Sequence, residues 1–298
     1  MTELFEGDLH AGLSGLELGD DCLDLGEGIS LRKTYAHLMA PFIMAFNPAP
    51  PGRHHPAPWK ASRGGFSFDI TVDLTIPASF ETIPRGKVAL AKTIVFLVRL
   101  GLNPAATVPV LSNYPFADLA NNPDNEAALL PFEIQYRYFP LTVDGGLATN
   151  ESAEWVRSRW QTTHELISES AEFALAVDAI STGQFVKSSA LTLVSLWGAL
   201  EALFSPSTTE LKFRVSSLIA AFLEPFGNGR GILQKEIAKL YDKRSAAAHG
   251  KPKHDEEDVL GSFNLLRRVL MRIIDNKKVP SREDLEDVLF GSLGKLGD

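Results

Sequence analysis

The first half of the chain alternates apolar and polar residues as half-buried β-strands do. Residues 66–76 alternate without a break, and residues 132–138 show the same pattern. A period of two places the apolar side chains on one face, so both segments are predicted strands. Weaker strands are predicted at 29–31 and 42–46. The apolar segment 88–100 fits a buried helix or a buried strand, and 47–65, with its prolines and glycines, is a predicted loop.

The second half has the periodicity of helices. A first helix is predicted from Ser152 to about Ile180, with capping-box spacing at its start. The further predicted helices are 185–204, Ser207 to near Pro225, 229–249, 255–275 and a short one from Pro280. Five main helices with short connections indicate a bundle. The predicted class is therefore α+β, with a strand-rich N-terminal domain at 1–148, an all-α domain at 149–298 and a boundary near 145–152.

Composition narrows the function classes. The single cysteine, Cys22, excludes an intramolecular disulfide and a zinc cluster built on cysteine. With no signal-peptide pattern and no apolar run long enough to span a bilayer, a cytoplasmic protein that does not associate with membranes is expected. Histidines and carboxylates lack metal-ligand spacings, and neither a phosphate-binding loop nor a nucleophile elbow is present, so neither metal nor cofactor is predicted. His54, His55, His164 and His254 are predicted to face solvent.

Charge is unevenly distributed along this acidic chain. The formal net charge is −8, yet residues 230–254 hold seven Lys/Arg against two acids, a local charge of 7 − 2 = +5. A basic stripe of this kind can hold a phosphate backbone even on an acidic protein. The alternative is an ordinary solvated helix face, and this interpretation is favoured when charge is the only evidence considered.

The segment 241–250 carries the candidate chemistry. Arg244 can grip a phosphate through paired hydrogen bonds, and His249 can move a proton near neutral pH. Five residues along an α-helix turn through about 500°, which leaves the two side chains about 140° apart. Gly250 is a predicted helix stop that would place His249 at the helix end. The pair can serve one ligand only at such an end, at a bend or at a dimer seam.

Nearby side chains are assigned supporting roles. Ser245 either hydrogen-bonds substrate and orients His249 or is a surface serine. Tyr241 either stacks on a base or, as its spacing favours, is a core aromatic, and Lys243 either binds phosphate or faces water. Three further lysines of the stripe are predicted RNA contacts: Lys239, Lys251 and Lys253.

Glu201 lies in an apolar helix, where a carboxylate is costly to bury unless it is paired. Arg214 and Arg244 are the candidate partners. A structural pairing role is favoured over a role in orienting the active site.

Three segments together carry a resemblance to a known family. They are Leu196–Phe204, an apolar helix with an embedded glutamate; Glu210–Arg214, a Glu-Leu-x-x-Arg helix start; and Leu240–Gly250, a Tyr-x-x-Arg-Ser-x-x-x-His-Gly pattern. In this order the second half, roughly residues 150–290, resembles the HEPN superfamily and within it the Apea-like HEPN group of bacterial proteins.

The resemblance implies a helical bundle that forms a homodimer, in which the Arg244 and His249 sets of both copies build one metal-independent ribonuclease site. It implies RNA as the substrate and a role as an antiphage-defence effector or toxin. The N-terminal domain would then sense a trigger, bind a protein partner or restrain the nuclease. Two alternatives stay open: a non-catalytic HEPN scaffold or RNA-binding subunit, and a small-ligand sensor with its pocket in the strand-rich half.

Overall fold

The protein is a mixed structure of strands and helices, as a computed structural model shows. It describes residues 6–80, 82–121, 127–138, 147–204, 211–250 and 253–290. The strands are β1 (Leu9–Ser14), β2 (Cys22–Gly26), β3 (Ile29–Ala45), β4 (Trp59–Ile76), β5 (Thr107–Ser112) and β6 (Leu129–Pro131). The helices are α1 (Gly86–Gly101), α2 (Asn150–Arg157), α3 (Trp160–Glu169), α4 (Ala171–Thr182), α5 (Ser189–Phe204), α6 (Leu211–Leu223), α7 (Asn228–Ala248), α8 (Glu256–Asp275) and α9 (Arg282–Phe290). The predicted α+β class is confirmed.

The six strands form one sheet in the order β2-β3-β4-β1-β5-β6, and each neighbouring pair is antiparallel. Along β4 the predicted alternation is confirmed where Val72, Leu74 and Ile76 are fully buried. The polar side of the pattern is interrupted at Asp73, which is also buried and lies 3.1 Å from Nδ1 of His10. This contact pairs a carboxylate that burial would otherwise penalise.

Three predictions for the first half are settled by the backbone. The ambiguous segment 88–100 is helical and forms most of α1. The predicted loop 47–65 is wrong in its second part, because β4 begins at Trp59 and pairs with Ala45 of β3. The predicted strand 132–138 is also wrong. The N–H of Glu133 still donates to the carbonyl of Val108 at 2.9 Å, but the N–H of Val108 donates to the carboxylate of Glu133 at 2.8 Å instead of to a backbone carbonyl. The regular pairing of β6 with β5 ends at Pro131.

The predicted single helix from Ser152 to Ile180 is wrong, since this segment forms α2, α3 and α4. Arg159 separates the first two with a non-helical backbone. Ser170 is extended, and its hydroxyl accepts a hydrogen bond from the N–H of Phe173 at 3.1 Å, which makes it the N-cap of α4. The predicted cap at Ser207–Glu210 lies outside the described residues, as do residues 145 and 146 of the predicted domain boundary.

The chain divides into two compact units. The sheet unit comprises residues 1–91, 105–134 and 145–154, and the helical unit comprises 92–104, 135–144 and 155–298. Inside the helical unit α5 contacts α4, α6, α7 and α8. Its centre is apolar, and Leu193, Trp197, Leu200 and Phe204 are fully buried. Among the described residues, no helix is both long and apolar enough to cross a bilayer.

Candidate active site

The candidate chemistry lies at the C-terminal end of α7. This helix stays regular through Ala248, and His249 forms its C-cap. Gly250 follows with φ +69°, a left-handed conformation that favours glycine, and its N–H donates to the carbonyl of Ala247 at 3.2 Å. The predicted helix stop is therefore confirmed, and His249 lies at the helix end.

Glu201 of α5 connects two residues of this helix. Its Oε2 accepts a hydrogen bond from Nη2 of Arg244 at 2.8 Å, and its Oε1 accepts one from the hydroxyl of Tyr241 at 2.9 Å. The side chains of Glu201 and Arg244 are only 19% and 22% exposed. Of the two candidate partners for Glu201, it is Arg244 that pairs with it. Arg214 lies exposed on α6.

Tyr241 is placed in the core, which is the favoured of its two predicted positions. It is 7% exposed, and its ring meets that of Trp197 edge-on at 5.2 Å between centroids. The guanidinium carbon of Arg244 lies 5.6 Å from the centroid of the Tyr241 ring. Burial first, and then the hydrogen bond to Glu201, raise the pKa of the Tyr241 hydroxyl. This hydroxyl therefore stays protonated and remains a donor at neutral pH.

The Arg244 guanidinium retains further donors. Guanidinium has five N–H groups, and the contact with Glu201 uses one of them. The Nε atom of Arg244 is buried without a hydrogen-bond partner among the described residues. The contact with Glu201 fixes the plane of the guanidinium through one N–H, and N–H groups that do not contact Glu201 can donate to an anion.

Lys243 is neither a free phosphate contact nor fully solvated. Its Nζ donates to Oδ2 of Asp258 at 2.8 Å and to the carbonyl of Lys253 at 3.1 Å. Asp258 also completes the capping box of α8 with Asp255. Burial opposes ionisation of Asp258, but the hydrogen bonds from Lys243 and from the backbone of Asp255 outweigh it and lower the pKa of this carboxyl. The same hydrogen bond raises the pKa of Lys243.

The remaining predicted site residues are spread along α7 and just beyond it. His249, Lys239 and Lys253 are exposed and Ser245 is half-buried, whereas Lys251 lies outside the described residues. Within the part of the chain that the structure describes, no hydrogen bond or ion pair joins Arg244 to His249. The structure therefore brings Tyr241, Arg244 and Glu201 together and leaves His249 apart from them.

Sequence reasoning missed some contacts and misplaced two histidines. The acidic run at 255–258 predicts the start of a helix but not the contact of Asp258 with Lys243. The three-residue spacing of Asp255 and Asp258 was a signal for the capping box to which Asp258 belongs. His164, predicted to face solvent, is 4% exposed, and its Nδ1 lies 3.0 Å from the hydroxyl of Thr93. His254, also predicted to face solvent, is instead half-buried, and its Nε2 lies 3.0 Å from the Ser189 hydroxyl.

No group of three or more His, Cys, Asp or Glu side chains is arranged to hold a metal ion in the described ranges. In comparisons with known proteins, no protein family, no curated protein and no solved structure matches this chain.

Proposed function

We propose that the helical unit is a metal-independent endoribonuclease of the HEPN type that acts as a homodimer in antiphage defence or as a toxin. The observation that supports this most is the Glu201–Arg244 contact of 2.8 Å, which fixes a guanidinium five residues before an exposed histidine at a helix end. The N-terminal unit would then sense the trigger or bind a protein partner.

The chemistry is an internal phosphoryl transfer. The ribose 2′-oxygen bonds to the adjacent phosphorus as the bond from phosphorus to the 5′-oxygen breaks, giving a cyclic phosphate and a free 5′-hydroxyl. His249 of one copy accepts the proton of the 2′-hydroxyl, and His249 of the other donates a proton to the leaving oxygen. Arg244 stabilises the charge that develops on the phosphoryl oxygens. One histidine per chain makes the dimer a requirement of this scheme.

A second candidate is a non-catalytic RNA-binding module of a larger complex. It is favoured by a specific observation: the Glu201 carboxylate already balances the charge of Arg244, and His249 contacts neither of them in the described structure. This candidate predicts RNA binding without cleavage.

The test is cleavage of RNA by the purified protein with excess chelator. Arg244→Lys keeps the charge and removes the planar fork, and His249→Ala removes the proton carrier. Each is expected to lower the cleavage rate about 10²- to 10⁴-fold, the usual range for such groups. Arg282→Ala, which alters an exposed arginine on α9, is the matched control and should cleave like the wild type.

Thermal unfolding of each variant, followed by circular dichroism, separates lost chemistry from lost structure. Equal cleavage by the wild type and both site variants would contradict the catalytic assignment. RNA binding without cleavage by any of the proteins would favour the scaffold.

A further inference from the structure

Strands β3 and β4 extend well beyond the sheet that they belong to. β2 pairs with β3 as far as Arg32, and β1 pairs with β4 between Val72 and Ile76. From the pair Ala36–Ile70 to the pair Ala45–Trp59, β3 and β4 pair with each other, and neither β1 nor β2 pairs with them there. Ten residues of antiparallel strand span about 34 Å. We call residues 34–69 the ribbon.

The ribbon displays large apolar side chains to solvent. Seven of them are between 51% and 72% exposed: Tyr35, Met39, Phe42, Ile43, Met44, Phe46 and Trp59. Large exposed apolar side chains in this number on one ribbon are uncommon on a protein that works alone, and they indicate a binding surface. A two-stranded ribbon has little core of its own, so burial in the fold does not explain these side chains.

Several of these rings are held in place before anything binds. The indole N–H of Trp59 donates to the carbonyls of His55 and Pro56 at 3.1 and 3.0 Å. The ring of Phe42 meets Phe66 edge-on at 5.7 Å between centroids. Fixed rings with exposed faces lose little conformational freedom when a flat group stacks on them.

The charge of this segment is opposite to that of the chain. The ribbon contains one acidic residue, Asp69 at its base, although the whole chain has 37 Asp/Glu in 298 residues. It contains three Lys/Arg, which are Arg53, Lys60 and Arg63. These three are exposed and form no ion pair with a described carboxylate, whereas Asp69 contacts His37 and Tyr35. The ribbon is thus a cationic surface on an anionic protein.

We propose that the ribbon binds single-stranded RNA. Arg53, Lys60 and Arg63 contact phosphates, and exposed rings such as Trp59 and Tyr35 accept stacked bases. Cations interleaved with aromatic faces are the combination by which proteins bind single strands without reading sequence. The choice of RNA over other nucleic acids rests on the proposed function. That the ligand is a single-stranded polyanion is inferred from the cations and exposed rings of the ribbon.

Two other occupants fit less well. A membrane-inserting hairpin needs an apolar tip, but this tip carries Arg53, His54 and His55, all exposed. Edge-to-edge pairing with a second copy along β3 is opposed by Pro41, which has no N–H to donate and lies where no described strand pairs with the outer edge of β3.

The test is fluorescence anisotropy of the full chain with a labelled 2′-O-methyl RNA of about 20 nucleotides, long enough to cover a single-strand site. The methyl groups prevent attack by the 2′-oxygen, so binding is measured without cleavage. Trp59→Ala should weaken binding about 5- to 150-fold, the range for loss of one stacked base. Phe290→Ala, which removes a ring that is 78% exposed on α9, is the matched control and should bind like the wild type.

Charge is tested by a salt series. The triple variant Arg53→Gln, Lys60→Gln, Arg63→Gln should lower the slope of log affinity against log salt by about 2, because each phosphate contact on a single strand contributes about 0.7. A control triple removes the same charge elsewhere and should leave the slope unchanged: Lys187→Gln, Lys277→Gln and Arg282→Gln.

The outcomes separate this proposal from the nuclease proposal. Cleavage of unmodified RNA by Arg244→Lys tests the nuclease proposal, whereas binding of the methylated RNA by the ribbon variants tests the ribbon proposal. Equal binding by the wild type and the ribbon variants would overturn the ribbon proposal and leave the nuclease proposal standing. Three other results would overturn the ribbon proposal in favour of another occupant. They are tighter binding of the matching duplex than of the single strand, ribbon-dependent flotation with phosphatidylserine vesicles, and loss of a dimer in the ribbon variants without loss of RNA binding.

Discussion

Replacing Glu201 by glutamine should destabilise the helical unit far more than the same change at a surface ion pair. Glu201 accepts hydrogen bonds from Arg244 and Tyr241 and is 19% exposed. Hydrogen bonds to a charged group contribute about 1.5–3 kcal/mol each, and glutamine keeps one acceptor oxygen but loses the charge. Since both side chains are partly exposed to solvent, we expect the free energy of unfolding to fall by about 2 kcal/mol.

The matched control is Glu224→Gln. Glu224 accepts a hydrogen bond from Arg268 at 3.0 Å, but the two side chains are 36% and 48% exposed. Solvent-exposed pairs of this kind contribute about 0–1 kcal/mol. The assay is urea unfolding followed by circular dichroism at the helical band, which reports mainly on the helical unit. The midpoint should fall clearly in Glu201→Gln and little in Glu224→Gln, with similar slopes.

A double-mutant cycle isolates the pair itself. Glu201→Gln, Arg244→Gln and the double variant should give a coupling free energy of about 1 kcal/mol or more, because contacting charged residues are not additive. A coupling near zero, or equal losses in Glu201→Gln and Glu224→Gln, would refute the claim that this contact fixes the guanidinium.

Two further predictions concern the sheet unit and α9. Gly65→Ala should destabilise the ribbon more than Gly64→Ala. Both glycines have positive φ, but an added Cβ at Gly65 would lie 2.5 Å from the carbonyl oxygen of Ala40, whereas at Gly64 the nearest atom is 4.0 Å away. Hydrogen exchange of ribbon amides should be about 5- to 150-fold faster in Gly65→Ala than in Gly64→Ala, since overpacking costs about 1–3 kcal/mol, and equal rates would contradict the geometry. The hydrogen bond from Lys278 lowers the pKa of Asp284 to about 2, below its ordinary 3.8. The stabilisation by this carboxylate is therefore complete above the ordinary pKa and is lost as pH falls through the folded pKa. Asp284→Asn should cost about 1–2 kcal/mol at pH 6 and clearly less near pH 2, and a deficit independent of pH would refute this assignment.

Local rules predicted β4, parts of β3 and most of the helices, but they predicted none of β1, β2, β5 and β6. Two of the wrong predictions lie where a side chain replaced a backbone partner. Alternation predicts that β4 is a strand, because its pattern reflects one buried face. The same alternation misleads at 132–138, because the Glu133 carboxylate takes the hydrogen bond of Val108 that would extend the ladder. Helical periodicity likewise continues through Ser170, where the hydroxyl caps a new helix. Neither contact can be seen from hydrophobic pattern alone.

In the candidate site, the need for a partner was predictable and its identity was not. A carboxylate in an apolar helix requires a compensating cation, so Glu201 had to be paired. Which arginine reaches it depends on the helix that packs against α5. Tyr241 and Arg244 are three residues apart on α7 and therefore share a face, and α5 contacts that helix. The sequence held this spacing, but only packing decides which face is turned to Glu201.

The same spacing constrains the chemistry. Arg244 is turned toward Glu201, and α7 stays helical through Ala248. Five residues of α-helix make about 1.4 turns, so the side chain of His249 leaves the helix about 140° around its axis from that of Arg244. Within one chain, the guanidinium and the imidazole therefore point in different directions. In the proposed scheme, cleavage uses His249 of both copies, so one His249→Ala protomer should disable the dimer that contains it. Mixing the wild type with an excess of His249→Ala protomers should therefore lower the cleavage rate per wild-type chain, whereas a site within one chain would keep the activity of every wild-type chain.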